Sequence, residues 1–327
     1  MKRVLTILVA AILLLNLWAV TRAWHNSEDR PLNAETRKEF PGSFVETAMG
    51  TTRYILEGPA DAPLILFVGG LTTEAVEYFE KAAVVFRRAG YRTLRYDLFG
   101  RGGSDRSDAF AYDQATYSRQ IDELLAALKI DGPIFLIGPS LGGGISAYWA
   151  AAHPERVQAL SLQASAGCAP ESDTLVSALK VPVLGPYVFW LLQDRLTLGR
   201  VPAHFATPQQ AAIDLVQGGI RRSAAFEGYR KALYRTITNF GATNLESTFT
   251  RLRSTEVPLQ ILWGEEDQIL SVDGARKINE WLGGRAEVAL LPKVGHMAML
   301  ESPDQAIPLV LEFFAAAGKH AEPAKRP

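Results

Sequence analysis

Cysteine is almost absent: Cys168 stands alone in 327 residues. The chain can therefore form no intramolecular disulfide and no cysteine-type zinc site. Histidine is scarce too, with five in all and no close His/Glu pairs at ligand spacing, so no metal and no cofactor are expected. Charge of one sign is also lacking. Lysine and arginine number 34 against 35 aspartates and glutamates, a net charge of -1, and no basic stripe runs along the chain. Nothing here favours a nucleic-acid partner. No internal repeat is present. What the chain does have is apolar residues, 48% of the total, enough for a sizeable core and too many for disorder. Its length suits one large α/β domain with an inserted segment, or two small domains.

The amino terminus is distinct. A basic head, Met1-Lys2-Arg3, precedes a run from Val4 to Val20 that carries no charge and ends before Arg22. As a helix the run would measure about 26 Å at about 1.5 Å per residue. That sits at the short end of the spanning range and is long for a signal-peptide core. No clean cleavage site follows, and no cysteine permits lipoprotein processing. The reading is an anchor over residues 1–24 that contacts the membrane through residues 4–20, with a cleaved signal as the alternative. The basic head places the N-terminus in the cytoplasm and the remainder outside, membrane-attached in one case and secreted in the other. Trp18 and Trp24 suit a membrane interface. Residues 25–41, polar and charged, read as a linker.

From residue 42 the pattern alternates. Phe44–Thr47 and Thr52–Leu56 read as a hairpin around Gly50. Pro63–Val68, Arg92–Tyr96, Pro133–Ile137 and Val157–Leu162 read as strands, with helical spacing over Glu74–Ala89, Tyr112–Lys129 and Gly144–Ala152. Continuous apolar strands between helices indicate a mostly parallel sheet covered on both faces. Between the third of these strands and its helix lies Ile137-Gly138-Pro139-Ser140-Leu141-Gly142-Gly143. A G-x-S-x-G at a strand–helix turn presents its serine at the carboxyl end of the sheet. Ser140 is the candidate nucleophile, and the Leu141 amide, first in the helix, is a candidate donor to an oxyanion.

These residues resemble the α/β-hydrolase superfamily. Tyr96-Asp97-Leu98-Phe99-Gly100-Arg101-Gly102-Gly103-Ser104 is similar to the family's D-x-x-G-x-G-x-S loop, read as structural and tied down by Asp97 and Arg101. The resemblance covers roughly residues 42–316. It implies an α/β-hydrolase fold, a mostly parallel central sheet with helices on both faces, in two core segments, 42–163 and 257–316. The insertion 164–256 would be a helical cap, and 317–327 a polar tail. After the strand Val257–Trp263 comes Gly264-Glu265-Glu266-Asp267. The family's acid stands three residues after this glycine, which implies Asp267 over its neighbours Glu265 and Glu266. Gly295-His296, followed by Glu301-Ser302-Pro303, resembles the family's histidine loop and implies His296 as general base. The chain order Ser140, Asp267, His296 is that of the hydrolases. Gly69-Gly70-Leu71 takes the place of the family's His-Gly-x loop, which implies Leu71 as second oxyanion donor and Gly70 as a substrate-binding residue beside it. The glycine at 69 departs from the pattern and leaves that register open by one residue.

In the cap segment Val181–Leu192 is strongly apolar, interrupted by Pro182, Gly185 and Pro186. It reads either as an acyl-binding wall presenting Tyr187, Phe189 and Trp190, or as a cap helix packed on the body. Together these features imply a serine hydrolase of carboxylic esters, including lipid esters such as monoacylglycerols, working through an acyl-enzyme. A C–C bond hydrolase of the meta-cleavage type, with the same three residues, is the alternative. A catalytically silent hydrolase-like binding protein is a third reading, supported only by Gly69. Dehalogenases and epoxide hydrolases of this superfamily resemble the chain less, because they carry aspartate at the elbow.

Overall fold

The computed structural model describes residues 2–25, 28–168, 174–241 and 244–320; part of the polar tail, 321–327, lies outside them. Eight strands form one sheet: β1 Ser43–Glu46, β2 Thr51–Glu57, β3 Leu64–Phe67, β4 Arg92–Tyr96, β5 Ile134–Pro139, β6 Val157–Gln163, β7 Leu259–Gly264 and β8 Glu287–Leu291. Their order is β1-β2-β4-β3-β5-β6-β7-β8. The first two strands pair antiparallel, as do β2 and β4, and every later pairing is parallel.

The continuous apolar strands follow from burial on both faces. In β3, Leu64 and Leu66 enter one core while Ile65 and Phe67 enter the other; in β5, Ile134 and Leu136 part from Phe135 and Ile137 in the same way. Each such side chain contributes about 1.5–3 kcal/mol on burial. One covering layer includes helices Gln114–Ala127 and Leu141–Ala152, the other Glu80–Arg88 and Pro303–His320. The helical pattern over Glu74–Ala89 resolves into two helices, Ala75–Tyr78 and Glu80–Arg88, parted at the fully buried Phe79. The periodicity does not reveal this break, across which Phe79 N–H still donates to Ala75 O at 3.2 Å and Ala83 N–H to Phe79 O at 2.8 Å.

Helices occupy the chain between β6 and β7, among them Leu184–Leu196, Gln210–Ala224, Tyr229–Thr236 and Glu246–Arg253. At the amino terminus, helix Lys2–His25 is long and apolar enough to cross a membrane, with mean hydropathy 2.4 over a window within Lys2–Thr21 and no part of that window buried. Trp18 is exposed on it; the side chain of Trp24 lies outside the described ones. Residues 28–40 do not hang free, since Glu28, Arg30, Arg37 and Phe40 all contact the cap or the body.

Candidate active site

The chain leaves β3 toward β4 on one side and leaves β5 toward β6 on the other. Loops at such a reversal diverge and open a crevice beyond the carboxyl ends of the strands. Ser140 follows β5 at this point, between the strand and helix Leu141–Ala152, and Gly69–Thr73 follows β3. Ser140 has φ 53° and ψ −123°, a backbone conformation that side-chain-bearing residues rarely adopt. Such a conformation costs on the order of 1–3 kcal/mol and persists only where its surroundings enforce it. Here the Ser140 N–H donates to Gln163 O at 2.8 Å, and Ser140 O accepts from Ala166 N–H at 2.8 Å and Gly143 N–H at 3.0 Å. The flanking glycines are required by close approach. A Cβ on Gly138 would meet Gly142 O at 2.4 Å, and one on Gly142 would meet Val68 O at 2.2 Å.

His296 follows β8 and Asp267 follows β7. Their side chains are buried, and His296 Nδ1 lies 2.7 Å from Asp267 Oδ2. Asp267 Oδ1 accepts from Ile269 N–H at 2.8 Å and Leu270 N–H at 2.9 Å, so both carboxylate oxygens are engaged. Glu265 and Glu266 are exposed on the same turn. Ser140 and His296 line one cavity of about 160 Å³, with Gly70, Leu71, Thr73 and Tyr78 from the body and Leu196, Thr197, Arg200 and His204 from the cap. Among the described residues no hydrogen bond joins Ser140 Oγ to the His296 ring; catalytic contacts of this kind often tighten only once substrate is bound.

Leu71 and Leu141 flank Ser140 from the β3 loop and the elbow helix. The backbone N–H of each has no hydrogen-bond partner among the described residues. The Gly70 N–H, by contrast, is taken by Thr73 Oγ1 at 2.9 Å. Where a Cβ on Gly69 would stand, Ala75 Cβ is 3.0 Å away, so helix Ala75–Tyr78 fills the space that a larger residue at 69 would need. Arg101 is fully buried and donates from Nε to Leu71 O at 2.8 Å and from Nη2 to Thr236 Oγ1 at 3.0 Å. Asp97 accepts from Arg53 Nη1 at 2.9 Å and from Gly103 N–H at 3.1 Å, which closes the glycine-rich loop.

Tyr187, Phe189 and Trp190 are not brought to this cavity. Phe189 is fully buried in a small cluster with Leu179, Tyr229 and Leu233, while Tyr187 and Trp190 stack on each other at 6.4 Å. The cap wall comes instead from Leu196 to His204, just beyond the apolar stretch. His204 carried no signal in the sequence. Its ring meets that of His296 at 5.2 Å, edge to face, and its carbonyl accepts from His296 N–H at 2.8 Å. Burial, and then the neighbouring His296, hold the His204 imidazole neutral by pushing its pKa down to about 3. Glu301 was legible only as part of a loop pattern; it accepts from Gly295 N–H at 2.7 Å and Thr207 N–H at 2.9 Å, joining the histidine loop to the cap. Among the described residues no group of three or more His, Cys, Asp and Glu side chains is placed to hold a metal ion.

Residues 63–303 match the alpha/beta hydrolase fold family. The chain belongs to that family. Monoacylglycerol lipase ABHD6 of Rattus norvegicus is 26% identical over 270 residues, covering 79% of this chain and 77% of the relative. A 2-hydroxy-6-oxo-6-(2'-aminophenyl)hexa-2,4-dienoic acid hydrolase of Metapseudomonas resinovorans is 24% identical over 288 residues, covering 87% and 94%. Among solved structures an esterase from Exiguobacterium antarcticum superposes with a TM-score of 0.70 at 20% identity, over 84% of this chain and 99% of its own, a likeness of fold. The family and these relatives together support a hydrolase.

Proposed function

We propose that the chain hydrolyses carboxylic esters, including lipid esters such as monoacylglycerols, with Ser140 as nucleophile, His296 as general base and Asp267 orienting it. The observation that carries this reading is Ser140, held in a strained elbow, on the wall of one cavity with an imidazole whose far nitrogen is fixed by a buried carboxylate. In the acylation step Ser140 Oγ bonds to the ester carbonyl carbon while its proton passes to His296 Nε2. The carbonyl oxygen becomes an oxyanion, received by the free amides of Leu71 and Leu141; one such donor is typically worth about 3 kcal/mol. Collapse breaks the bond to the alcohol oxygen, which takes the proton from His296. Water then attacks the acyl-enzyme with the same base and releases the acid. Helix Lys2–His25 would hold the catalytic body at a membrane, where such substrates reside.

A second reading, C–C bond hydrolysis, draws support from the dienoic acid hydrolase relative and from Arg200, a cation on the cavity wall able to meet a substrate carboxylate. The test is turnover of p-nitrophenyl esters from acetate to palmitate by the native chain and by Ser140→Ala, with a phosphonate probe of Ser140 run in parallel. Serine-dependent turnover of medium or long chains supports the lipid-ester reading. Ester hydrolysis that survives Ser140→Ala rejects the mechanism. Labelling without ester turnover favours C–C cleavage.

A further inference from the structure

The segment after the N-terminal helix is fastened to the cap. His25 closes that helix, and Glu28 places its carboxylate on the first turn of Tyr229–Thr236, accepting from Gly228 N–H at 3.0 Å and Arg230 N–H at 2.6 Å. A carboxylate is favoured at a helix N-terminus. Next, Arg30 N–H donates to Ala225 O at 3.3 Å and Glu227 N–H to Arg30 O at 2.9 Å, with the Arg30 guanidinium 4.7 Å over the Phe226 ring. His25 and Glu28 are three residues apart, so the helix end lies at most about 11 Å from Glu28 on the cap.

Tyr229 and Leu233 of this cap helix pack on Phe189 of helix Leu184–Leu196. The outside of that neighbouring element is apolar and uncovered. Val183 is 83% exposed, Leu184 54% and Leu191 53%, with Val181 and Leu192 beside them. Leu184 and Leu191, seven residues apart, share one helix face. Exposed Lys180 stands at one end of the strip; at the other stand exposed Arg195 and Arg200 with one exposed acid, Asp194, so both ends carry net positive charge. Leu196, Thr197 and Arg200 then line the catalytic cavity. One subdomain thus carries the landing point of the apolar helix, an apolar strip with cationic ends, and the cavity rim. An apolar face bordered by Lys and Arg is the composition of an element that lies in a membrane interface.

We propose that this face of the cap docks on an anionic bilayer surface, the same bilayer that holds helix Lys2–His25, and that lipid esters pass from the bilayer into the cavity past Leu196 and Thr197. The docking needs only the membrane helix; the passage of substrate rests on the lipid-ester reading above.

The test uses the full chain inserted in phosphatidylcholine–phosphatidylglycerol vesicles. In a Cys168→Ser background, single cysteines at Leu184, Leu191 or Leu290 (Leu184→Cys, Leu191→Cys, Leu290→Cys) carry an environment-sensitive fluorophore. Leu290 is the control, exposed on edge strand β8 at the far side of the sheet order. The expected result is a blue shift and quenching by spin-labelled lipid at 184 and 191, and neither at 290. No quenching at 184 and 191 in alkali-resistant, inserted protein overturns the docking, and so does protection of these positions by a second copy of the chain. In parallel, Leu184→Asp with Leu191→Asp should lower hydrolysis of vesicle-borne monoacylglycerol about ten-fold or more while leaving soluble p-nitrophenyl acetate turnover unchanged. Equal hydrolysis of the vesicle substrate by native and variant protein overturns the passage route. If neither protein cleaves any ester, the lipid-ester reading and the passage route fall together, and the fluorescence still decides the docking.

Discussion

Replacing Asp267 by Asn tests the site most sharply, because the structure dictates how the amide must sit. Asp267 Oδ1 accepts two backbone N–H groups, from Ile269 and Leu270, and Oδ2 faces His296 Nδ1 at 2.7 Å. An asparagine NH2 cannot face two N–H donors, so its oxygen must keep the Oδ1 position and its NH2 must point at His296. The imidazole is then driven into the tautomer that accepts at Nδ1 and carries its proton on Nε2. In that form it cannot take the proton of Ser140. Loss of the correct tautomer in a triad typically lowers kcat about 10⁴-fold, or about 5.5 kcal/mol of transition-state stabilisation. The side chain is isosteric and its hydrogen bonds survive, so denaturant unfolding should change by no more than about 1–3 kcal/mol. Steady-state hydrolysis of a soluble p-nitrophenyl ester, with urea unfolding on the same preparations, reads both quantities. The exposed neighbours serve as controls, and Glu265→Gln and Glu266→Gln should retain native rates. If Asp267→Asn keeps more than about a tenth of native kcat, Asp267 does not orient the base and the reasoning is wrong.

Two further substitutions probe the surroundings. Gly142→Ala would place a methyl group 2.2 Å from Val68 O and 2.7 Å from Gly69 O, both backbone atoms of the loop that carries Leu71. It should cost about 3 kcal/mol or more and abolish ester turnover; an unchanged melting temperature would contradict the packing. His204→Phe concerns pH. The His204 imidazole stays neutral in the fold down to about pH 3, whereas in the unfolded chain it takes a proton near pH 6.5. Between these values the unfolded chain binds the extra proton, so stability must fall as pH falls. Between pH 7 and pH 4.5 this one group removes about 2–3 kcal/mol, and His204→Phe should flatten the acid limb of the urea-unfolding stability by that amount. An acid limb of the same slope in both proteins would refute it.

Much of this was legible because it is written locally. Strands β3 and β5 read as apolar runs since both their faces are covered, and Ser140, Asp267 and His296 each sit in a short loop with its own glycine. What was not legible depends on contacts between distant stretches. His204 and His296 meet only because the cap lies across the histidine loop, and nothing near position 204 marks it. Thr73, which occupies the Gly70 amide, looks like an ordinary loop threonine. The stretch Val181–Leu192 shows the limit from the other side: its composition announces apolar contact but not the direction. Packing turns Phe189 inward to Tyr229 and leaves Leu184 and Leu191 facing out, while the cavity wall falls to Leu196 and His204.

The same packing decides where the cap can open. Along one side Glu74 accepts from Ser223 Oγ at 2.8 Å and from Arg222, while Arg106 donates to Ser223 O at 3.0 Å and Phe226 O at 2.9 Å. Along the other, His204 O receives His296 N–H, and Glu301 holds Thr207 N–H. Lifting the cap as a block would break both sets at once. Helix Leu184–Leu196 makes none of these polar contacts; it buries only Gly185, Phe189 and Gln193, with Phe189 in a small cluster of Leu179, Tyr229 and Leu233. Segments with few buried contacts open at the lowest free energy. Native-state hydrogen exchange should therefore find the amides of Leu184–Leu196 exchanging about ten-fold or more faster than those of Gln210–Ala224, which carries Arg222 and Ser223. Phe189→Ala, which removes the centre of the cluster, should widen the gap and leave Gln210–Ala224 unchanged. Equal protection of the two helices would mean that the cap moves as one body, and that access to Ser140 requires breaking the Glu74 and His204 contacts.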